Sequence, residues 1–299
     1  MSYHNPVLLA ESVQQLVTNP SGIYIDVTFG GGGHSRKILE TLSNEGRLLA
    51  FDQDPDAHNN IIDDERFQFV PSNFRHLKKF AQYYKCCPAD GILADLGVSS
   101  YQFDTAERGF SHRFDGALDM RMNQQKGISA REIINGYAPE RLAAIFYTYG
   151  ELPNGKQLAR QIVSEREKSE IATTAQLVAA VNPLLPKGKE NKVLSQLFQA
   201  IRIEVNDEMA VLKEFLSQTV ECLKPGGRLV VIAYHSLEDR LVKNFMRSGK
   251  FEGEADKDFF GNLITPFTLV TRKAITPDED EIAVNPRARS AKLRIAEKK

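Results

Sequence analysis

The residues best placed to do chemistry are a run of glycines and a set of acids at the ends of apolar segments. Ile23-Tyr24-Ile25-Asp26-Val27-Thr28-Phe29 leads into Gly30-Gly31-Gly32-Gly33-His34-Ser35, and a helix is expected from Ser35 to Leu42. Glycine lets the backbone turn sharply and approach a ligand, and a helix start presents unpaired N–H groups with the positive end of a dipole. In an open α/β sheet such a strand–turn–helix junction holds a nucleotide-like cofactor. A second apolar run, Arg47-Leu48-Leu49-Ala50-Phe51, ends at Asp52, 22 residues after Gly30. That is the usual place for a carboxylate that grips a ribose hydroxyl pair. The dinucleotide fingerprint fails, because the sixth position from Gly30 is Ser35 and from Gly31 is Arg36. The P-loop pattern fails as well, since Arg36 precedes Lys37. What remains is an adenosine-bearing cofactor with no pyrophosphate to cradle, and S-adenosylmethionine is the leading candidate. The plainer alternative is a tight turn that binds nothing, which Asp52 makes less consistent with the spacing.

Methyl transfer from a sulfonium is an in-line displacement, so catalysis is chiefly positioning. An amino group on a base has a delocalised lone pair, and acceptors for its hydrogens localise and aim that pair. Asp95-Leu96-Gly97-Val98-Ser99-Ser100, leaving a fourth apolar run, offers such a carboxylate. His235, opening His235-Ser236-Leu237-Glu238-Asp239-Arg240, is a second candidate because its pKa is tunable across neutrality. Asp95 as a strand-end cap and His235 as a buried, hydrogen-bonded strand-end residue are the structural alternatives. The loop Arg108-Gly109-Phe110-Ser111-His112-Arg113-Phe114 interleaves cations with aromatics, as phosphate contacts plus base stacking require. Arg108, Phe110 and Arg113, with Arg121 and Arg240, are the candidate nucleic-acid contacts, and Arg131 extends the loop's charge. Because Asp104, Glu107, Asp115 and Asp119 dilute that charge, a solvated loop is the alternative. From Asn285 to Lys299, six basic residues face one acid, Glu297. That tail is read either as an RNA contact or as an edge strand with ordinary surface charge.

These groups need a scaffold, and the first third alternates strand and helix signals. Phe67–Val70 reads as a third strand, Asn73 as a cap for a helix to about Tyr84, and Gly91–Leu96 as a fourth, nearly all-apolar strand. This order predicts an α/β fold with a doubly wound, mostly parallel sheet. The alternation stops between Gly97 and about Val205, where helical patterns fall at 129–137, 139–149, 155–168 and 174–181. Leu194 to Leu223 repeats apolar residues every three or four positions, as one helix or as two broken at Asn206-Asp207. Lys224-Pro225-Gly226-Gly227 is read as the turn that ends it, before strand Arg228–Tyr234, helix Ser236–Met246 and strand-like Phe267–Val270 and Leu293–Ile295. The expected organisation is a discontinuous cofactor domain, residues 1–98 and 207–299, interrupted by an all-helical insertion, residues 99–206. Strand carboxyl ends face the ligand crevice, so an insertion launched there is expected to cover the site and recognise substrate. A purely stabilising insertion is the alternative.

Composition sets bounds. The chain of 299 residues is 42% hydrophobic and 26% charged with net charge −1, so any nucleic-acid surface has to be local. Three cysteines, Cys86, Cys87 and Cys222, with no Cys-x-x-Cys, argue against a disulfide framework and a zinc site. The expectation is a cytoplasmic protein with no metal, no secretory signal and no membrane span.

The blocks His4–Leu9, Asp26–Ser35, Asp95–Ser100, Glu107–Ser111, Leu118–Met122, His235–Arg240 and Asn285–Ser290 occur in order. Together they resemble the bacterial RsmH (MraW) family of small-subunit ribosomal RNA cytosine-N4 methyltransferases, and the resemblance covers essentially the whole chain. It implies a class I methyltransferase fold with an inserted helical domain. It also implies S-adenosyl-L-methionine as cofactor and, as substrate, a cytidine amine in the decoding region of 16S rRNA in the small ribosomal subunit. Cofactor contacts implied at matching positions are Gly32, Gly33, His34, Asp52, Phe74, Asp95 and Gln102. The sequence departs from DNA amino-methyltransferases in having Asp95-Leu96-Gly97-Val98 where those carry Asp/Asn-Pro-Pro-aromatic. Residues 248–263 match the family poorly, a difference expected to touch RNA contacts rather than catalysis. A non-catalytic RNA-binding or ribosome-assembly protein on the same fold is the competing expectation, and a nicotinamide-linked oxidoreductase is disfavoured by the failed fingerprint.

Overall fold

The computed structural model describes residues 6–299, so His4 and Asn5 of the first block lie outside the described residues. In chain order, α1 (Leu9–Leu16) precedes β1 (Ile23–Asp26), α2 (Gly33–Thr41), β2 (Arg47–Asp52), β3 (Phe67–Pro71), α3 (Leu77–Tyr83) and β4 (Ala89–Asp95). Helices follow: α4 (Ser100–Asp104), α5 (Ala130–Gly136), α6 (Pro139–Thr148), α7 (Gly155–Arg166), α8 (Thr174–Val181), α9 (Glu190–Asn206) and α10 (Glu208–Cys222). The chain closes with β5 (Leu223–Ala233), α11 (Ser236–Ser248), β6 (Asp256–Lys257), β7 (Leu263–Ile264), β8 (Phe267–Leu269), α12 (Glu279–Val284) and β9 (Lys292–Lys298).

Contacts divide the described residues into two compact units, one made of the residues up to Gly97 together with Met209–Lys299, the other Val98–Glu208. The first is a seven-stranded sheet in the order β3-β2-β1-β4-β5-β9-β8. Its first five strands run parallel, and β9 is antiparallel to β5 and to β8. Successive side chains of β1 enter opposite faces, as the two-residue strand period dictates. Ile25 packs with Leu49, Phe215 and Val231, while Tyr24 packs with Leu16, Ile38 and Leu48. β4 is buried on both faces, which explains its continuous apolar sequence. β1 lies between β2 and β4, so the strand order reverses there and opens a crevice at the carboxyl ends. Register aligns those ends, with Asp26 opposite Ala50 and Leu93, and Asp95 opposite Ile232.

The second unit has its own core, in which Phe110, Leu118, Ile133, Phe146, Leu158 and Leu197 are buried together. Ser129 and Thr173 start α5 and α8 with reciprocal capping boxes to Glu132 and Gln176. The periodic stretch from Leu194 is two helices. Asp207 adopts a left-handed conformation at φ 53° and ends α9. The Asn206 amide beside it donates to the carbonyls of Met120 and Arg202 (2.8 and 2.9 Å).

Three expectations need correction. Lys224-Pro225-Gly226-Gly227 does not separate helix from strand; it lies inside β5, where Gly226 at φ 78° accommodates a register shift between Ala89 and Gly91. The basic tail is no edge strand, because β9 is flanked by β5 and β8. Asn73 caps a short 3-10 turn, Phe74–His76, before α3 begins. Helices α1 and α12 carried no anticipated signal, and the poorly matching segment 248–263 holds the start of the β6–β7 hairpin.

Phe146 is fully buried in the helical unit. We predict that Phe146→Ala costs about 3–5 kcal/mol, read as a lower urea midpoint for that unit's unfolding.

Candidate functional site

The crevice at the strand ends of the first unit gathers three carboxylates. Asp26 is buried (1% exposed). It accepts from Ser35 Oγ (2.7 Å), the Thr28 N–H (3.0 Å) and Thr28 Oγ1 (3.4 Å). Thr28 Oγ1 in turn accepts the Asp95 N–H at 2.7 Å, so one chain of hydrogen bonds ties the ends of β1 and β4 to the first turn of α2. Asp52 accepts the Gly30 N–H on Oδ2 (2.7 Å) and the Asp54 N–H on Oδ1 (2.8 Å). The acid of the second strand therefore holds the glycine corner directly. Asp95 Oδ1 accepts the Tyr234 hydroxyl at 2.8 Å, and its side chain keeps 23% exposure.

The donors to these acids are backbone amides and hydroxyls, which only partly offset the desolvation of negative charge. Burial pushes Asp95 up to about 7, with the charges of Asp26 and Glu238 adding to it and the Tyr234 hydrogen bond opposing it. Burial likewise pushes Asp52 up to about 6 and raises Asp26. His34 Nδ1 lies 3.7 Å from Asp95 Oδ2, but this is no ion pair: burial takes His34 down to about 4, leaving a neutral imidazole at pH 7. Its Nε2 is buried without a hydrogen-bond partner, a polar atom left for a ligand to satisfy.

The corner itself requires glycine. Gly30 and Gly32 sit at φ 50° and 77°, in the left-handed region. A Cβ on Gly33 would come within 2.2 Å of Pro6 Cγ. Arg36 Nη1 donates to the Gly31 carbonyl (2.6 Å) and the Asn60 amide to the Gly30 carbonyl (3.0 Å), bracing the turn from outside. Phe74 follows β3, whose Pro71 pairs with Asp52, and its ring meets Phe215 edge-on with centroids 5.3 Å apart.

His235 caps α11. Its Nδ1 accepts the Glu238 N–H (3.4 Å), while Glu238 Oε2 accepts the N–H of Tyr234 (2.9 Å) and of His235 (3.2 Å). His235 Nε2 lies 3.1 Å from Glu238 Oε1 but off line for a hydrogen bond. The side chain that reaches Asp95 from β5 is its neighbour Tyr234, which sequence reasoning missed. The available signal was an aromatic hydroxyl at the end of an apolar strand, one residue before the candidate histidine. Thr28 and Ser35, which hold Asp26, were missed as well.

The structure thus brings Gly32, Gly33, His34, Asp52 and Asp95 together, with Phe74 after the adjoining strand. Gln102 belongs to the second unit, where its Oε1 accepts the Ser99 N–H (3.0 Å) in a capping box. Two proposed RNA contacts are corrected. Arg108 is 3% exposed, with Nη2 donating to the Arg121 and Met122 carbonyls (both 3.1 Å). Phe110 is 4% exposed inside the helical core, with the Arg108 guanidinium 5.8 Å from its ring centre. Their cation–aromatic pairing is internal packing, so neither offers a surface to RNA. Arg121 is held by both oxygens of Asp119 (2.8 Å each), whereas Arg113 and Arg240 are exposed. In the tail, Lys292 and Arg294 both bind Asp239 on α11 (3.2 and 2.6 Å), so part of its charge is spent on structure.

The sequence profile of the MraW methylase family matches residues 1–299. A Bacteroides fragilis protein named ribosomal RNA small subunit methyltransferase H is 60% identical over 298 residues, covering 100% of this chain and 98% of that protein. Proteins of the same name from Bacteroides thetaiotaomicron and Christiangramia forsetii are each 59% identical, again covering 100% of this chain and 98% of their own length.

The raised acids make a signed prediction for the unliganded protein. Asp95 titrates near 7 in the fold and near 4 in an unfolded chain. Its contribution to stability is therefore complete below about pH 4 and is lost as pH rises through about 7. Asp95→Asn keeps the side chain neutral, so its thermal midpoint should vary less between about pH 5 and pH 8 and exceed the parent's at the upper end. Tyr234→Phe removes the opposing hydrogen bond and should move the carboxyl titration, followed by carbon NMR, above its present value.

Proposed function

Since the chain belongs to the MraW methylase family, we infer that it is an S-adenosylmethionine-dependent methyltransferase of small-subunit ribosomal RNA, acting on the N4 amine of a cytidine in the decoding region of 16S rRNA. The observation that carries this reading is the trio of acids, Asp26 buried and Asp52 and Asp95 half-buried, with neutral donors around a glycine corner. Such a site favours a ligand that is cationic and rich in hydroxyls, and S-adenosylmethionine has a sulfonium, an ammonium and a ribose diol.

The bound cofactor supplies an electrophilic methyl group on sulfur. The Asp52 carboxylate, fixed by the Gly30 and Asp54 amides, is oriented to accept ribose hydroxyls. The corner at Gly32 and Gly33 lets backbone approach the ligand, the unpartnered His34 Nε2 offers it a hydrogen bond, and Phe74 offers a ring face toward the base. Asp95, still accessible, is the acceptor for the hydrogens of the cytosine amine, and its pKa near neutrality suits it to hold the proton released on transfer. Tyr234 positions Asp95, and His235 positions Tyr234 by capping α11 through Glu238. Catalysis by such a site is orientation of the amine along the sulfur–carbon axis. Gln102 enters as a further cofactor contact, and the helical unit, residues 99–206 in this reading, as the part that recognises RNA. Exposed Arg113, and Arg121 further along the same loop, are its candidate phosphate contacts. Reaching a base amine in structured RNA requires a nucleotide that is single-stranded or swung out. Among the described residues no helix is long and apolar enough to cross a membrane, and the cytoplasm, where the ribosomal substrate lies, is the proposed location.

Two measurements test the reading. Mass spectrometry of 16S rRNA nucleosides incubated with protein and S-adenosylmethionine should reveal N4-methylcytidine; cofactor binding without any product would favour the non-catalytic alternative. By calorimetry, Asp52→Ala should weaken cofactor binding by about 10- to 100-fold, from loss of charge-assisted hydrogen bonds. Because Asp52 accepts both hydroxyls only when ionised, parent affinity should fall as pH drops through about 6.

A further inference from the structure

We propose that a cleft between α11 and the β8–β9 edge of the sheet is a phosphate pocket that grips the backbone of the RNA strand being modified. This deepens the function proposed above and rests on it. The cavity, about 190 Å³, is lined by Lys243, Arg247, Thr271, Arg272 and Arg294 over an aliphatic floor. No acid lines it among the described residues. Arg294 is engaged through Nε by Asp239 Oδ1 at 2.6 Å. Lys243, Arg247 and Arg272 are exposed and make no ion pair among the described residues.

Two features oppose stability and so point to a ligand. Lys243 and Arg247 stand four residues apart on one face of α11, where like charges repel. Thr271 Oγ1 is buried without a hydrogen-bond partner at the same cleft. A bound phosphate oxygen would accept from that hydroxyl and neutralise the paired cations, resolving both at once.

The charge distribution favours a polyanion over a single small anion. Cations reach the cleft from α11, from the segment after β8 and from β9, and Arg240 extends them one turn along the same face of α11. From His235 at the cap, which faces the strand-end site through Tyr234, to Lys243 is eight residues, about 12 Å of helix. An RNA strand laid along α11 would be held here while its target base is presented at the strand ends.

The test compares the full-length parent with Lys243→Ala/Arg247→Ala, the charge-conserving Lys243→Arg/Arg247→Lys, and Thr271→Val. Probes are 16S rRNA, a uridine homopolymer and inorganic phosphate, over a salt series. Removing both cations should weaken binding to either RNA at least 10-fold and lower the slope of log affinity against log salt by about 0.7, one single-strand phosphate contact. Thr271→Val should weaken binding severalfold with the slope intact, and the conservative pair should retain it. The Kd for S-adenosylmethionine should not change, and the KM for RNA should rise with kcat held, which a folding defect would not produce. RNA binding and KM equal to the parent's in both Lys243→Ala/Arg247→Ala and Thr271→Val would overturn the pocket while the methyltransferase reading stands. Loss confined to inorganic phosphate would make it a small-anion site and overturn the RNA assignment. A parent that neither binds nor methylates RNA would remove the function proposed above and this inference with it.

Discussion

Negative charge buried without a positive partner is the constraint on which this molecule's site is built. Asp26, Asp52 and Asp95 converge at the ends of neighbouring strands, and the donors that hold them are amides and hydroxyls. Such donors orient a carboxylate but only partly offset its lost hydration, so protonation becomes easier. The nearest imidazole cannot help, because His34 is itself buried and neutral. A ligand bringing positive charge and hydroxyl groups relieves this arrangement, whereas a phosphate-rich one would aggravate it. The electrostatics agree with the failed dinucleotide and P-loop spacings, reached there from glycine positions alone.

The sheet exists to hold those acids in register. Parallel pairing of β1 with both β2 and β4 brings their carboxyl ends level, and the reversal of strand order leaves the space between them uncovered by a crossover. The glycine corner is then pinned from beneath by Asp52 and from outside by Arg36 and Asn60. On the far side of β4, the cap of α11 does similar work. Glu238 gathers the N–H groups of Tyr234 and His235, which fixes where the Tyr234 hydroxyl meets Asp95. His235, which sequence logic nominates for proton transfer, caps α11 beside the tyrosine that meets Asp95.

The same α11 is loaded on its other turns. Asp239 takes up Lys292 and Arg294 from β9, knitting the last strand to the helix, while Lys243 and Arg247 stay unpaired. One helix thus spends some of its charge on structure and leaves the rest available. Composition cannot make that distinction, since it depends on which acids lie across the interface.

Much of the scaffold was legible in the chain because it rests on local periodicity. Apolar runs that end in acids, a glycine corner before a helix, and repeats of three and four are short-range patterns, and they located β1 to β4, the corner, Asp52 and Asp95. The long repeat from Leu194 to Leu223 is the limiting case. Its period was visible, but the break at Asp207 is stabilised by Asn206 reaching back to Met120, far away in sequence. Tertiary structure alone decided which side of a residue faces water. Arg108 and Phe110 have the composition of an RNA contact and lie inside a core; Lys292 and Arg294 resemble an exposed basic tail and sit within a sheet. Tyr234 looked like the end of a strand and touches the central acid. Sequence specifies the chemical groups and their local order, whereas burial and partnership arise only when distant segments close on one another.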